Sequence, residues 1–162
     1  MKRIFSPWRM KYINDSNPQS ECIFCSLPDM KSDRESLIIR RGDSAFVLMN
    51  RFPYTSGHIM VAPYAHQPSI EMLNETTQAE LMALITKSVK VLRYIYEPEG
   101  FNIGANVGSA AGAGFGDHIH FHIVPRWVGD TNFMSTLGEV RVLPEDLETT
   151  WERIRAAWDS TH

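Results

Sequence analysis

The most informative feature of this chain is a run in which three of its six histidines alternate with large apolar residues, His118-Ile119-His120-Phe121-His122-Ile123. In a β-strand every second side chain projects from the same face, and neighbours on that face lie roughly 6 to 7 Å apart. The run therefore predicts a strand from Asp117 to Pro125 that presents three imidazoles on one face and packs its apolar residues into the core.

Three imidazoles on one face can perform a nucleophilic reaction at phosphorus. Neutral imidazole is a nucleophile, and the charged form donates hydrogen bonds to phosphate oxygens. His120 has a histidine on either side, so we expect it to be the nucleophile, with His118 and His122 bonding non-bridging or leaving-group oxygens. The alternatives are satisfied surface histidines or a purely structural metal site. Because histidine is a poor strand former, its strict alternation favours a functional cluster.

A second group of candidate ligands is the pair Cys22-Ile23-Phe24-Cys25. Its two-residue gap lets both thiolates reach one zinc ion, but a single pair is half of a tetrahedral site. The pair could also be a redox couple, although the strand-helix-strand pattern typical of such couples is missing, or two reduced cysteines without such a role. In a reducing compartment a stable disulfide is less expected than a metal site or a redox pair.

The segment just before the histidines is rich in glycine, from Gly108 to Gly116, and Phe115 is its one bulky residue. Backbone can approach a ligand closely in such a segment, and successive amide groups can bind phosphate oxygens. Because the segment leads into a strand, no helix dipole assists binding. An ordinary flexible loop is the alternative. The candidate phosphate contacts are Gly108, Ser109, Gly112 and Gly114.

The remaining strands that must position these groups are marked by turn residues and apolar runs. Gly42-Asp43 is a hairpin signal between two apolar runs, and Ser56-Gly57 leads into a third. The strands predicted besides the histidine strand are Leu37–Arg41, Ala45–Met49, His58–Ala62 and Phe101–Val107.

Two helices complete the predicted elements. The longer one covers Thr77–Tyr96, where a capping box, Thr77-x-x-Glu80, precedes apolar residues at helical spacing. A second helix follows Pro144-Glu145-Asp146 and places apolar residues on one face. These residues are Leu147, Trp151, Ile154 and Trp158.

Hairpin-linked strands around one long helix favour an α+β fold, with an antiparallel sheet and helices on one side. The chain has 162 residues, 43% of them hydrophobic, which is enough for one core. We expect one domain over residues 1–162. It consists of an irregular segment at 1–33, a core at 34–135 and a C-terminal extension with a helix at 136–162.

Composition excludes several classes of partner. A net charge of -3 provides no broad cationic field, so nucleic acid is not an expected partner, whereas a small anion needs only local positive groups. The chain contains no apolar run of membrane-spanning length, and its polar start lacks the pattern of a signal peptide, so we expect a cytoplasmic protein without a membrane partner. No acidic cluster suits an obligatory catalytic metal, so magnesium is expected only as a companion of the substrate.

The run from His118 to Val124 resembles the motif of the histidine triad (HIT) family, His-φ-His-φ-His-φ-φ with φ apolar, and matches it at every position. The resemblance extends from about Glu21 to Phe133. It implies that His120 becomes nucleotidylated when it attacks the α-phosphate of a dinucleoside polyphosphate such as diadenosine tetraphosphate. Water or inorganic phosphate would then cleave the phosphoramidate. An AMP-containing substrate and a homodimer are further implications of the resemblance.

The same resemblance assigns nucleotide contacts. The segment from Phe46 through Asn50 and Pro53 to His58 is similar to the family's nucleoside-binding hairpin, in which asparagine holds a ribose hydroxyl and apolar residues sandwich the base. His58 matches a histidine that closes the site, and Asn106 a polar residue that contacts phosphate. The segment Pro125–Phe133, which includes Trp127, and the early Pro7–Tyr12 resemble the bacterial diadenosine tetraphosphate phosphorylase branch.

Each of these residues also has an ordinary structural explanation. Asn50 could serve a turn before Pro53, Phe46 and Trp127 could be core aromatics, and Asn106 could cap a strand end.

Bacterial relatives of this type complete a zinc site with two histidines, which here correspond to His66 and His118. The resemblance thus implies a structural zinc held by Cys22, Cys25, His66 and His118, since a site closed by four protein ligands leaves no position for water.

One position departs from the family pattern. Relatives commonly place glutamine or serine about four residues before the first triad histidine, where this chain has Gly114. Either Ser109 or a backbone amide replaces that contact, or the leaving group is activated differently. The reaction could therefore be hydrolysis or phosphorolysis of diadenosine tetraphosphate, or hydrolysis of a nucleoside phosphoramidate. A nucleotide-binding regulator without turnover is the alternative outside the enzymes.

Overall fold

The structure, a computed structural model, describes residues 22–112, 117–130 and 145–161. An antiparallel sheet in the order β1-β2-β3-β5-β4 forms the framework. Its strands are β1 (Ile38–Arg41), β2 (Ala45–Met49), β3 (Ile59–Pro63), β4 (Gly100–Gly104) and β5 (Phe121–Arg126). The helices are α1 (Ile23–Ser26), α2 (Asp33–Ser36), α3 (Glu75–Tyr96) and α4 (Leu147–Trp158). The predicted α+β fold is confirmed.

Short helices replace part of the segment that the sequence predicts to be irregular. Within 1–33, α1 is followed by a 3₁₀ turn at Leu27–Asp29, and α2 begins at the last residue of the segment, Asp33. Among the described residues, the helices lack the length and apolar character needed to span a membrane. The motif Pro7–Tyr12, Gly114 and Pro144 lie outside the described residues.

The sheet has an apolar cluster on each face. Because side chains alternate along β2 and β3, successive residues of each strand belong to different clusters. Val47 and Val61 belong to the larger cluster, which α3 and α4 complete on one face. Leu48 and Met60 belong to a smaller cluster on the other face, which Phe24 from α1 completes. Because His122 pairs with Met60 across β3 and β5, the histidines lie on the face of the smaller cluster.

The start of α3 differs from its prediction. The capping side chain is Asn74, which accepts a hydrogen bond from the amide of Thr77 at 2.8 Å, so Thr77 is a buried residue of the first turn. The prediction of a capping box at Thr77 is wrong because the carboxylate of Glu80 is used elsewhere. It accepts hydrogen bonds from the amides of Asp43 and Ser44 and thereby ties the helix to the turn between β1 and β2.

Helix α4 packs as predicted. Asp146 caps it by accepting a bond from the amide of Thr149 at 2.9 Å, and Ile154 and Trp158 are buried in the larger cluster. The indole N–H of Trp151 donates to the carbonyl of Ile38 at 2.9 Å. The C-terminal helix therefore supports the outer strand β1.

Candidate active site and metal centre

The segment His118–His120 precedes β5 and is held by three hydrogen bonds. Nε2 of His118 donates to the carbonyl of Pro63 at 2.9 Å, and the amide of Ile119 donates to the carbonyl of Gln67 at 2.7 Å. Nδ1 of His120 donates to the carbonyl of His118 at 2.9 Å. The predicted strand start at Asp117 is wrong because these bonds join the segment to itself and to the loop after β3, so that regular strand pairing begins at Phe121.

The hydrogen bond of His120 defines which of its ring nitrogens can attack. A carbonyl oxygen can only accept, so Nδ1 carries the proton and Nε2 carries the lone pair. The ring is 8% exposed, and this burial lowers its pKa below the usual value of 6.5, although the bond to the His118 carbonyl opposes the shift. His120 is therefore neutral at pH 7, which is the state that a nucleophilic imidazole requires.

Hydrogen bonds also determine which ring nitrogens of His58 and His122 carry protons. The amide of Tyr54 donates to Nδ1 of His58 at 3.1 Å, and Nδ2 of Asn50 lies 3.4 Å from the same nitrogen. Nδ1 of His58 must then accept, so its proton is on Nε2, which lies 2.9 Å from Nδ1 of His122. It follows that neutral His122 carries its own proton on Nε2.

The two outer triad residues have different surroundings. The ring centroids of His120 and His122 are 5.0 Å apart, so the nucleophilic imidazole and the donor imidazole are neighbours. The ring of His118 is directed to the cysteine pair, with Nδ1 3.3 Å from Sγ of Cys22 and Nε2 on Pro63. Because both of its nitrogens have protein partners, the predicted bond from His118 to a phosphate oxygen does not fit this geometry.

Four side chains form a compact group of metal-binding type: Cys22, Cys25, His66 and His118, whose ligand atoms lie within 4.8 Å of one another. Sγ of Cys25 is 3.3 Å from Nδ1 of His66 and 3.7 Å from Nδ1 of His118. Sulfur and nitrogen ligands of a tetrahedral zinc lie about 3.5 Å apart, so the group fits this ion. The bond from His118 to Pro63 orients the ring, as outer partners of metal-binding histidines do.

The electrostatics of this group also suit a cation. Desolvation and the neighbouring Cys22 thiol raise the pKa of Cys25, while burial and the nearby His66 lower the pKa of His118. Two crowded thiols and the imidazoles of His66 and His118 are ligands that a zinc ion favours, because the ion stabilises the thiolates.

Of the predicted nucleoside contacts, Phe46 lies on β2 and Asn50 lies in the turn that follows β2. Phe46 is completely buried and stacks on Tyr64, with ring centroids 5.2 Å apart. Oδ1 of Asn50 accepts a bond from the amide of Phe52 at 2.9 Å. Asn50 thus has the turn-forming role that its sequence context suggests, and it also lies beside His58.

The glycine-rich loop follows strand β4, whose end pairs with the histidine strand. Gly104, the last residue of β4, pairs with His122. Beyond it, a 3₁₀ turn at Ser109–Ala111 is bounded by Gly108 and Gly112, which have φ angles of 77° and 79°. Nδ2 of Asn106 donates to the carbonyl of Gly112 at 3.3 Å and so closes the loop. The candidate contact Gly114 lies outside the described residues.

Trp127 lies at the opposite end of β5. It is seven residues after His120, a separation of roughly 20 Å on an extended strand. Its amide donates to the carboxylate of Asp130 in the turn that follows. The structure therefore does not bring Trp127 to the triad within this chain.

Two aromatic residues that the sequence analysis did not single out contact the histidines. Phe24 is 1% exposed and stacks on His120, with ring centroids 4.5 Å apart and an interplanar angle of 29°. Tyr54 lies against His58, with centroids 4.6 Å apart. A signal was present in each case, since Phe24 stands within the cysteine pair and Tyr54 within the Asn50–His58 segment.

Comparison with known proteins identifies relatives that match most of the chain. The HIT domain family model matches residues 31–128. The AP-4-A phosphorylase of Mycobacterium tuberculosis is 36% identical over 98% of this chain and 85% of its own length. An adenosine 5'-monophosphoramidase of Schizosaccharomyces pombe is 27% identical over 79% of this chain and 96% of its own length.

Solved structures give the same relationship. A Zn-bound histidine triad family protein from Mycobacterium smegmatis superposes with a TM-score of 0.69 and 28% identity, over 86% of this chain and 94% of that chain. The geometry of the histidines and cysteines described above can therefore be interpreted within one family.

Proposed function

Because the chain belongs to the HIT-domain family, we propose that it is an enzyme that transfers a nucleotidyl group from the α-phosphate of a dinucleoside polyphosphate through a covalent intermediate on His120. The hydrogen bond from Nδ1 of His120 to the His118 carbonyl is the observation that carries the proposal. It leaves the lone pair on Nε2 and fixes the ring in one tautomer before substrate binds.

The reaction has two displacements at the same phosphorus. In the first, Nε2 of His120 attacks, a P–N bond forms, and the P–O bond to the remaining polyphosphate breaks, with its electron pair leaving on oxygen. In the second, an acceptor oxygen attacks, the P–N bond breaks, and its electron pair returns to Nε2. Two in-line attacks retain configuration at phosphorus. His122 supports both steps by donating from Nε2 to a phosphoryl oxygen on which charge develops.

Inorganic phosphate is the acceptor that we propose. The relative that is similar over nearly the whole chain is named as an AP-4-A phosphorylase, which favours phosphorolysis over hydrolysis. Phosphate would convert diadenosine tetraphosphate to ADP and ATP, whereas water would give AMP and ATP. The similarity to a monophosphoramidase makes cleavage of a nucleoside phosphoramidate the second candidate, since that reaction uses the same His120 intermediate.

Product analysis distinguishes these reactions. Purified protein is incubated with diadenosine tetraphosphate, with and without inorganic phosphate, and in parallel with adenosine 5'-monophosphoramidate, and nucleotides are separated by chromatography. We expect ADP and ATP in equal amounts, formed only with phosphate. AMP and ATP would establish hydrolysis instead, and release of AMP from the phosphoramidate alone would support the second candidate. Binding without turnover under any of these conditions would contradict catalysis and favour a nucleotide-binding regulator.

We assign the nucleoside side of the substrate to the turn at Asn50. Nδ2 of Asn50 lies 3.4 Å from Nδ1 of His58, and His58 in turn bonds to His122. From this position the Asn50 amide could bond a ribose hydroxyl. The chain leaves the sheet at Gly104, which pairs with His122, and the glycine-rich loop begins four residues later, which supports a role for its amides in phosphate binding. Magnesium would enter this scheme only with the substrate's phosphates.

We further propose that Cys22, Cys25, His66 and His118 hold a structural zinc ion. The distances within this group support the assignment, as does the zinc in the related Mycobacterium smegmatis protein. Zinc bound by four protein side chains would stabilise two thiolates and connect α1 to the catalytic segment. Such a thiolate site persists where thiols remain reduced, which supports a cytoplasmic location.

A homodimer is the assembly that the sheet favours. Strand β4 forms an edge of the sheet, and Ile103 on this strand is 49% exposed. Next to it, α3 exposes Met82, which is 59% exposed, and Phe121 completes an apolar surface groove with both. An edge strand with an apolar border can pair with the same strand of a second copy, which would bury both.

A further inference from the structure

Two contacts define the orientation of the His120 ring, one at its edge and one on its face. At the edge, Nδ1 donates to the carbonyl of His118. On the face, the ring of Phe24 stacks at 4.5 Å. Both contacting residues are tied to the metal-binding group. His118 is one of its four candidate ligands, and Phe24 stands between the ligands Cys22 and Cys25 in the sequence.

We propose that Phe24 is a positioning residue for His120, and that the Cys22, Cys25, His66 and His118 group sets the orientation of the nucleophile by holding Phe24 and the His118 carbonyl together. The proposal rests on the assignment of His120 as the nucleophile. It gives the metal site a role in the geometry of the reaction, beyond its contribution to the stability of the fold.

The stacking contact is built into the core. Phe24 is 1% exposed and packs in the smaller cluster with Phe46, Leu48 and Met60, so its ring is fixed by the sheet behind it. A half-turn of the His120 ring would replace Nδ1 with a carbon at the His118 carbonyl and lose the hydrogen bond. Phe24 covers one face of the ring and restricts the space for this rotation, which would also put the nucleophilic nitrogen in the wrong place.

The segment that carries Phe24 needs an external support. Helix α1 has only four residues, and Cys22 at its N-cap makes no side-chain capping bond. A helix of one turn is not stable by itself. The thiols of Cys22 and Cys25 lie 3.3 Å from His118 and His66 respectively, so a metal ion between them would pin both ends of this turn.

The same ion would hold the second contact. His118 offers its Nδ1 to the thiols and its Nε2 to Pro63, and its backbone carbonyl faces His120. Because the ring and the carbonyl belong to the same residue, a shift of the His118 backbone on loss of the ion would move the acceptor of the His120 bond. Since Cys25 and His66 are exposed, a chelator can reach the site from solvent and change its occupancy.

The test reads the tautomer of His120 directly, without substrate. In protein with ¹⁵N-labelled imidazoles, long-range ¹H–¹⁵N spectra distinguish a ring protonated at Nδ1 from one protonated at Nε2, and His120→Gln identifies the signal. We expect a single Nδ1-protonated form in the zinc-loaded protein. Phe24→Leu, which keeps an apolar side chain but removes the ring, should give a mixture of tautomers. Removal of zinc from the unmutated protein with a chelator should do the same, and zinc added back should restore the single form.

A kinetic measurement accompanies the spectra. The rate of nucleotidyl-His120 formation in a single turnover should fall roughly 10²-fold in Phe24→Leu, as expected for a misplaced reacting group, while the dissociation constant for AMP changes less than about twofold. Ile38→Ala is the matched control, because it removes bulk from the same cluster without removing the ring on His120 and lies outside the predicted nucleoside-binding hairpin. It should keep the single tautomer and most of the rate.

Three results would overturn the proposal: an unchanged tautomer in Phe24→Leu, an unchanged tautomer after zinc removal, or the same mixture of tautomers in Ile38→Ala. The chelation experiment needs no variant, so the proposal stays testable if Phe24→Leu does not fold. If no protein forms an adduct while the tautomer responds as expected, the assignment of His120 as the nucleophile fails but its positioning by Phe24 stands.

Discussion

Nε2 of His58 donates a hydrogen bond to Nδ1 of His122 over 2.9 Å. The direction of this bond is determined by the amide of Tyr54, which occupies the other nitrogen of His58. His122 is thereby prepared to donate from Nε2 before any substrate is present. A donor that needs no reorganisation during the reaction is the form of electrostatic stabilisation that enzymes use for developing charge on phosphoryl oxygens.

Removal of the hydrogen bond from His58 to His122 should slow the chemical step. In His58→Leu the donor to His122 is lost, His122 can adopt either tautomer, and we expect the single-turnover rate of adduct formation to fall roughly 10²-fold. In His58→Gln the amide nitrogen can replace Nε2 as donor, so part of the rate should return. Rapid-quench measurement of the adduct compares the variants, and equal rates in the two would show that the donor is unimportant.

Loss of one thiol should remove the metal and destabilise the fold. Cys25→Ser leaves three of the four candidate ligands, and we expect zinc content to fall from about one per chain to near zero. The melting temperature should drop by about 5 °C, since α1 loses its attachment to His118. The neighbouring Ser26→Ala is the control and should keep its zinc. Full zinc content in Cys25→Ser would show that the ion lies elsewhere.

A charge on the edge strand should abolish the dimer. Ile103→Asp places a carboxylate in the apolar border of β4, where it would be desolvated on pairing, so we expect a monomer by sedimentation velocity. Val128→Asp is the control, because Val128 is 87% exposed in the turn after β5. A dimer that survives Ile103→Asp would place the interface on another surface.

The bond between α3 and the first hairpin predicts a dependence of stability on pH. Burial alone would raise the pKa of Glu80, but hydrogen bonds from the Ser44 hydroxyl and from the amides of Asp43 and Ser44 outweigh it and lower the pKa below its usual value of 4.5. A group with a lowered folded pKa stabilises the fold above its unfolded pKa, and this contribution disappears as pH falls through the folded value.

Glu80→Gln should therefore lower the free energy of unfolding by about 1 kcal/mol at pH 7. This is a low value for charged hydrogen bonds, because water screens a partly exposed carboxylate. The difference from the unmutated protein should shrink toward about pH 3. Urea unfolding at several pH values measures it, and in a Ser44→Ala background the effect of Glu80→Gln should be smaller. A difference that is constant with pH would rule out the carboxylate as its source.

Much of the sheet could be predicted from the sequence because local signals and tertiary structure agree there. The strand Ala45–Met49 is confirmed residue for residue, since its apolar run and the Gly42-Asp43 turn both favour a hairpin. The start of α3 was less predictable. Asn74 and Thr77 are both suitable caps, and the choice between them was decided by Glu80, which bonds to the hairpin 36 residues away in sequence.

The arrangement of the triad shows where a periodic pattern stops being sufficient. Alternation placed His120 and His122 together, but it could not show that the amide of Ile119 bonds to Gln67 and delays the strand until Phe121. It also could not show that His118 is directed to the cysteines. Phe24 was not found because contact between α1 and His120 depends on packing between segments almost 100 residues apart.

Identification of the covalent intermediate tests the role of His120 as the nucleophile most directly. The protein is mixed with diadenosine tetraphosphate labelled in the adenosine, quenched within a turnover, and digested, and the labelled peptide is sequenced by mass spectrometry. We predict an adenylyl group on Nε2 of His120 and no adduct in His120→Ala, which should still bind AMP. Turnover by the unmutated protein with no labelled His120, or with the label on another residue, would contradict this role.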